Sequence, residues 1–500
     1  MSIGLSFEAQ IQDVSEAREE VMDLAEQWNI AAFPDENSVS LSFCPIGILE
    51  IQFEQEEANH WIMSGECVTT PAGPGLHKVV ADFIETLADR LDLEILFDDE
   101  AEYMDYHDFK KMAEDHFYPW LETLMTIPIH QLEEEEYTSL CLCWDLNEYM
   151  PREIPGTIIT HMGRFSITAL TEKLEDGIEA FADQFFLWKN PIKDALYYRN
   201  CALNELWEHC YFAPSSRSEL DRQINGFIFF HLEQALMMDR ALPFPIEAYY
   251  KLCQLDGKDP LDLTGVPELR YETKIGYRRD QITQDFGNVK FIFPGKYKYE
   301  YKQTEQGRGI NLWTDESDPL CPLWQITGFS RNQGDAVFFD QGFEKVRDIE
   351  EFQAGEGICR YGWYSSNDEL QLAAQIICGA QLTLVTVTLH DEEQRDSVLE
   401  LLHGIRALLM SASTTWNVDP GMRYKLVVAS SRTVISPSPR TSAPSSRPSK
   451  PRAVTAGSLA GAAASHALSR ERTAVVPTAI TRWPAALVAC TASTTSAGTW

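Results

Sequence analysis

Near residue 420 the chain changes character, and that break limits how much of it can build a core. From Pro420 to Trp500 there are 10 Lys and Arg and one acid, Glu471, a net of +9. Of the chain's 41 basic and 76 acidic residues, that leaves 31 and 75 in residues 1–419, a net of −44. The final stretch, "SSRTVISPSPRTSAPSSRPSKPRAVTAGSLAGAAASHALSRERTAVVPTAITRWPAALVACTASTTSAGTW", is Ser, Ala, Thr, Pro and Arg with no sustained apolar period. Such a composition cannot bury enough apolar surface to offset its ordering entropy, so 420–500 is expected to be a disordered, low-complexity tail. Two origins fit it: a basic interaction tail, or translation of another reading frame after a frameshift. The abruptness of the switch favours the second. The functional reading therefore rests on the acidic body.

That body is too long for one core, and several domains are expected. No run of about 18 apolar residues is present, so no membrane span is expected. The opening "MSIGLSFEAQIQDVSEAREE" lacks a basic-then-apolar leader pattern, so no secretory signal is expected either. The 11 cysteines are odd in number and scattered through apolar runs. This fits reduced thiols and a cytoplasmic setting better than a disulfide framework. The nearest pair is Cys141 and Cys143, with no CxxC, so neither a metal nor a cofactor is expected. Surplus carboxylates repel nucleic acid and anionic membrane and could attract a basic protein partner, and solubility alone accounts for the same charge.

Along the chain, "AQIQDVSEAREEVMDLAEQW" (9–28) reads as an acidic amphipathic helix. Three strand-like runs follow, "SVSLSFCP", "GILEIQFEQ" and "HWIMSGECV". The turn "TTPAGPG" then enters a helix whose apolar positions, Leu76, Val79, Val80, Phe83, Ile84, Leu87 and Leu91, keep helical spacing. A strand "LEILF" and a helix around 106–125 complete an α+β domain over 1–130. Residues 137–265 open with a strand, "YTSLCLCWDL", a loop and a short strand, and then read as four helical stretches, a mostly helical domain. From Tyr271 strands return, closing on "DEEQRDSVLELLHGIRALL", whose stripe is Val398, Leu401, Leu402, Ile405, Leu408 and Leu409. The expected class is α+β and multidomain.

Within 271–410, Phe291, Phe293 and Pro294 open a strand, "RYGWYS" follows, and Leu401, Leu402, Ile405 and Arg406 close a final helix. This order resembles the DcrB/PsbP-like α/β sandwich, an antiparallel sheet crossed by a helix. The resemblance implies a non-catalytic binding subunit, adaptor or secretion chaperone, and it carries over no functional residues. The segments "SGECVTTPAGPGLH" and "DDEAEYMDYHDFKKMAEDHFYPWL" resemble stretches of uncharacterised bacterial proteins and imply no activity.

One loop carries candidate chemistry. Gly73 and Gly75 can present backbone N–H groups at a helix N-terminus, Thr69 and Thr70 can add hydroxyls, and His77 and Lys78 can add charge. Together they could hold a small anion. The pattern matches neither phosphate-loop signature, and Pro71 and Pro74 remove two donors, so a rigid strand-to-helix corner fits the same residues. Cys67 and His77 flank the loop and could pair as nucleophile and base, although Cys67 sits in a strand-like alternation. The acids and histidines of 98–116 lack EF-hand spacing and HExxH, and read as a charged helix start. No G-x-S-x-G elbow is present, and no catalytic residue is assigned. The expected function is a non-catalytic protein-binding factor, an acidic interaction, immunity-type or secretion-adaptor protein docking through its C-terminal sandwich. The alternative is an enzyme or small-anion binder using 69–78.

Overall fold

The computed structural model describes residues 2–57, 60–133, 139–144, 151–152, 154–270, 274–286, 289–304, 307–314, 322–330, 347–366 and 369–408. The expected disordered tail, 420–500, lies outside the described residues.

Ile3, Leu5, Phe7, Ala9 and Ile11 are all buried with the residues between them outward, so 4–11 is a strand, β1 (Gly4–Ile11), and its last three residues, 9–11, fall where a helix was expected. The first helix, α1 (Val14–Gln27), begins only after Asp13, whose carboxylate accepts from the amides of Ser15 and Glu16. Next come β2 (Ala31–Pro34), β3 (Ser38–Cys44), β4 (Gly47–Glu57) and β5 (His60–Val68). They lead into α2 (Pro74–Leu91) and β6 (Ile95–Asp99). The strands form one antiparallel sheet in the order β2-β3-β4-β5-β1-β6, with β1 inserted between β5 and β6. One face buries Leu5, Phe7, Leu41, Ile51, Met63 and Cys67 with Leu76, Val80, Phe83 and Ile84 of α2.

Three short helical pieces follow: α3 (Tyr103–Tyr106), α4 (Phe109–Met112) and a π-helical turn at Ala113–Phe117. They run into α5 (Tyr118–Glu133). The next sheet joins β7 (Ser139–Leu142), parallel, to the hairpin β8 (Thr157–Thr160) and β9 (Gly163–Ser166). Five helices come after it: α6 (Ile167–Glu175), α7 (Ile178–Phe185), α8 (Ala195–Glu208), α9 (Glu219–Met238) and α10 (Ile246–Asp256). In α8 every residue but Tyr198 is buried. A helix buried all round carries no amphipathic stripe.

Beyond it β10 (Gln281–Phe286) and β11 (Val289–Pro294) pair with each other. A seven-stranded antiparallel sheet is built from β12 (Lys298–Thr304), β13 (Gly307–Trp313), β14 (Leu323–Ser330), β15 (Arg347–Ala354), β16 (Gly357–Ser366), β17 (Glu369–Cys378) and β18 (Gln381–Leu389). Its order is β12-β13-β14-β18-β17-β16-β15. The closing helix α11 (Arg395–His403) is shorter than its apolar stripe suggested. It stops at Gly404, and Arg406–Ala407 forms β19 against Val289 and Lys290 of β11. Ile405 is still buried, but beyond the helix end.

The molecule is thus multidomain α+β. One apolar core runs without a break from Ile3 to Val266, through the first sheet and the helices. A second gathers 277–407 and takes in Cys141, Trp144, Ile159 and Trp207.

Candidate functional site: a closed corner and an open acidic sheet

The corner after β5 is closed. The Thr69 amide and hydroxyl donate to the Ile3 carbonyl at 2.9 and 3.2 Å. The Thr70 hydroxyl accepts from the Ile3 amide at 2.9 Å, and its oxygen also lies 3.1 Å from the Ile3 carbonyl. The glycine amides that could have cradled an anion are used internally: Gly73 N–H donates to Thr69 O at 2.8 Å, and Gly75 N–H to Trp188 O at 2.8 Å. The Trp188 amide returns a bond to Ala72 O at 2.7 Å. The concavity is filled by residues 186–190. A Cβ on Gly75 would lie 2.2 Å from Trp188 Cδ1 and 2.3 Å from the Asn190 carbonyl. Gly73, at φ +105°, faces Phe186. Glycine here permits close approach of the protein's own chain.

His77 is fully buried and both ring nitrogens are engaged: Nδ1 with Thr69 Oγ1 at 2.9 Å and Nε2 with Asp99 Oδ1 at 2.9 Å. Burial alone would raise the Asp99 carboxyl. His77 and the amides of Met104 and Ala101 outweigh it and hold Asp99 down at about 2. Thr69, Thr70, Gly73, Gly75 and His77 are therefore brought together, as a joint locking β1, β5, β6 and the 186–190 segment. Lys78 points away, half-buried, in an ion pair with Asp82. Cys67 is buried, and burial pushes its thiol far above the thiolate range. Among the described residues no three His, Cys, Asp or Glu side chains converge as a metal site, the 98–116 stretch included. Asp108 there caps α4, Asp99 accepts from the Ala101 and Met104 amides, and Glu100 accepts from the Gly4 amide.

A buried polar cluster on α8 carried no sequence signal. Asn204 Nδ2 donates to the His161 carbonyl and to Glu208 Oε1, at 2.8 and 2.9 Å, and Glu205 Oε2 meets His209 Nδ1 at 3.2 Å. Burial alone would lower His209, but the Glu205 and Glu208 carboxylates outweigh it and raise it. Glu205 is fully buried and Glu208 nearly so, while His209 is half-buried at the cluster's outer end.

The accessible feature is the other face of the first sheet. Strand pairing aligns its outward residues in rows. One row runs Ser40, Glu50, Glu66, Ser6, Asp98, and the next runs Ser38, Gln52, Ser64, Glu8, Leu96. Glu54, Ile62 and Gln10 form a third. All these residues are exposed or half-exposed, and the six strands contain no Lys or Arg. Glu50 and Glu66 sit directly opposite each other, a like-charge pair that costs a few tenths to about 1 kcal/mol. The alternation of β3, β4 and β5 made part of this face legible in the sequence. Ser6 and Glu8 lie just before the stretch read as helix, 9–28, and no strand was read there. The seven-stranded sheet is different: Ala373 and Gln375 of β17 are buried on the side opposite Leu372, Ile376 and Val385, and Leu384 and Thr386 of β18 beside them are half-buried, so its second face is partly covered there.

No helix of the described residues is long and apolar enough to cross a membrane. No protein-family model and no curated protein matches the chain. Among solved structures, a PsbP protein (CyanoP) of the cyanobacterium Synechocystis is 9% identical with a TM-score of 0.21, over 26% of this chain and 92% of its own. A structure from Bacteroides thetaiotaomicron is 10% identical with a TM-score of 0.19, over 28% of this chain and 51% of its own. The likeness to the PsbP fold is loose, and no argument about function rests on it.

Proposed function

We propose that this chain is a non-catalytic protein-binding factor that engages a basic partner through the open face of its first sheet. The observation that supports this reading is the face itself: exposed and half-exposed rows of carboxylates, serines and glutamines on six strands that contain no Lys or Arg. An exposed surface carrying Glu8, Glu54, Glu66 and Asp98 attracts positive charge on a partner. This moves the expected docking surface from the C-terminal sheet to the N-terminal one. The small-anion alternative at 69–78 gains no support, since the glycine amides there are already bonded and the concavity is filled.

The test is affinity capture from source-cell lysate with the full chain as bait, beside the variant Glu8→Lys/Glu54→Lys/Glu66→Lys. Wild type is expected to retain a basic protein near 0.1 M salt and to release it near 1 M, where screening shortens from about 10 to about 3 Å. The variant is expected to retain none at either salt. A partner held equally by the variant, or held regardless of salt, defeats the proposal.

A further inference from the structure

We infer that the partner docks as an added strand on β6, so that it presents an extended segment in which basic and apolar residues alternate. This rests on the acidic-face reading above and specifies how that face is used. Sheet edges expose unpaired backbone N–H and C=O groups, and proteins blunt them with proline, lysine, bulges or short length. The edges of the two large sheets can be compared on that basis. β2 has four residues and ends in Pro34, while Arg18 just beside it donates to the carbonyls of Glu36 and Ser38 at 3.1 and 3.0 Å. β12 carries Lys298. β15 has a register shift between Arg347 and Glu350, with Asp348 left-handed at φ +52°.

β6 is short too, at five residues, but has none of the other devices. It contains no Pro or Lys, and its pairing with β1 runs unbroken from Leu5–Asp99 to Ala9–Ile95. Among the described residues no strand pairs its other side. Its side chains also define what would fit. Leu96, 75% exposed, and Asp98 lie on the open face beside Glu8 and Ser6. Ile95 and Phe97 lie on the helix side, half-buried against the core. An added strand would place basic side chains beside Asp98 and Glu8, and apolar ones over Ile95 and Phe97. A second copy of β6 is a poorer occupant, because antiparallel self-pairing would gather Glu94, Asp98 and Glu100 from both chains.

The experiment uses the full chain and a fluorescent ten-residue peptide of alternating Lys and Val, with two controls. One is N-methylated at every residue, which keeps the charge and removes the N–H donors. The other replaces Lys by Glu. Affinity is read by anisotropy at low salt, and backbone pairing by hydrogen exchange over 93–100. The expected result is that the Lys/Val peptide binds, the methylated form binds at least tenfold more weakly, the Glu/Val form does not bind, and exchange over 93–100 slows. Equal binding of the charged and methylated peptides, without slowing there, overturns strand addition and leaves the acidic docking face standing. Failure of both basic peptides, or equal binding of the Glu/Val form, overturns the docking face and strand addition together. Slowing over 93–100 that depends on protein concentration alone, without peptide, assigns the edge to a second copy and overturns the proposal.

Discussion

His161 and His231 are buried imidazoles, and they dictate an acid sensitivity that can be worked out in advance. His161 is 1% exposed, its ring edge-on to Phe185 at 5.0 Å. His231 is 4% exposed, stacked on Phe227 at 3.8 Å, with Nδ1 3.0 Å from the Phe227 carbonyl. Burial pushes both down from 6.5 to about 4. A histidine lowered in the fold is held neutral there, so its stability is present above pH 6.5 and is lost as pH falls toward 4. At pH 5 the unfolded chain takes up almost a full proton at each site while the fold refuses it, which costs about 2 kcal/mol per histidine relative to pH 7. The assay is urea unfolding followed by tryptophan fluorescence at pH 7 and pH 5, for wild type, His161→Gln, His231→Gln and the double variant. Each single variant should lose about 2 kcal/mol less than wild type between the two pH values, and the double variant about 4 kcal/mol less. His209, raised in the fold, titrates in the opposite sense and cancels in these comparisons. Wild type and double variant losing the same stability, within about 0.5 kcal/mol, would refute the reasoning.

Three further outcomes follow from the corner and the sheet. Gly75→Ala sets a methyl 2.2 Å from Trp188 Cδ1 and should lower stability by about 1–3 kcal/mol in thermal or urea unfolding; an unchanged midpoint would contradict the packed joint. Asp99→Ala removes the acceptor for His77, Ala101 and Met104 and should cost about 3–5 kcal/mol at pH 7, whereas Thr69→Val, which loses bonds to His77 and Ile3, should cost about 1–2 kcal/mol. Glu66→Lys turns the like-charge pair with Glu50 into an attractive one, so it should stabilise the fold by up to about 1 kcal/mol while weakening partner capture; loss of both together would argue that the face serves only the fold.

The strands at Ser38–Cys44, Gly47–Glu57 and His60–Val68 and the helix after Gly73 could be read from the sequence because each has one buried face and a clean period. β1 could not, because the alternation through Ala9 and Ile11 runs directly into the helical period that Asp13 opens. Its place between β5 and β6 is a pairing between segments far apart in the chain, which no local pattern records. α8 reads poorly for a different reason: buried on all sides, it needs no stripe, and Asn200, Asn204 and Glu205 occupy positions that look like a solvent face. At the corner, the residue types were legible but their direction was not. Gly73 and Gly75 owe their identity to Phe186, Trp188 and Asn190, and Thr69 and His77 turn inward to Ile3 and Asp99.

The two-way backbone exchange between Ala72–Gly75 and Trp188 also sets a timetable for synthesis. When the first sheet leaves the ribosome, the corner's filling and two of its hydrogen-bond partners have not yet been made. At roughly 5–20 residues per second, that interval is on the order of 5–20 s. Throughout it, Gly75 N–H lacks its Trp188 acceptor, and the first sheet has to hold its corner without Phe186 and Trp188.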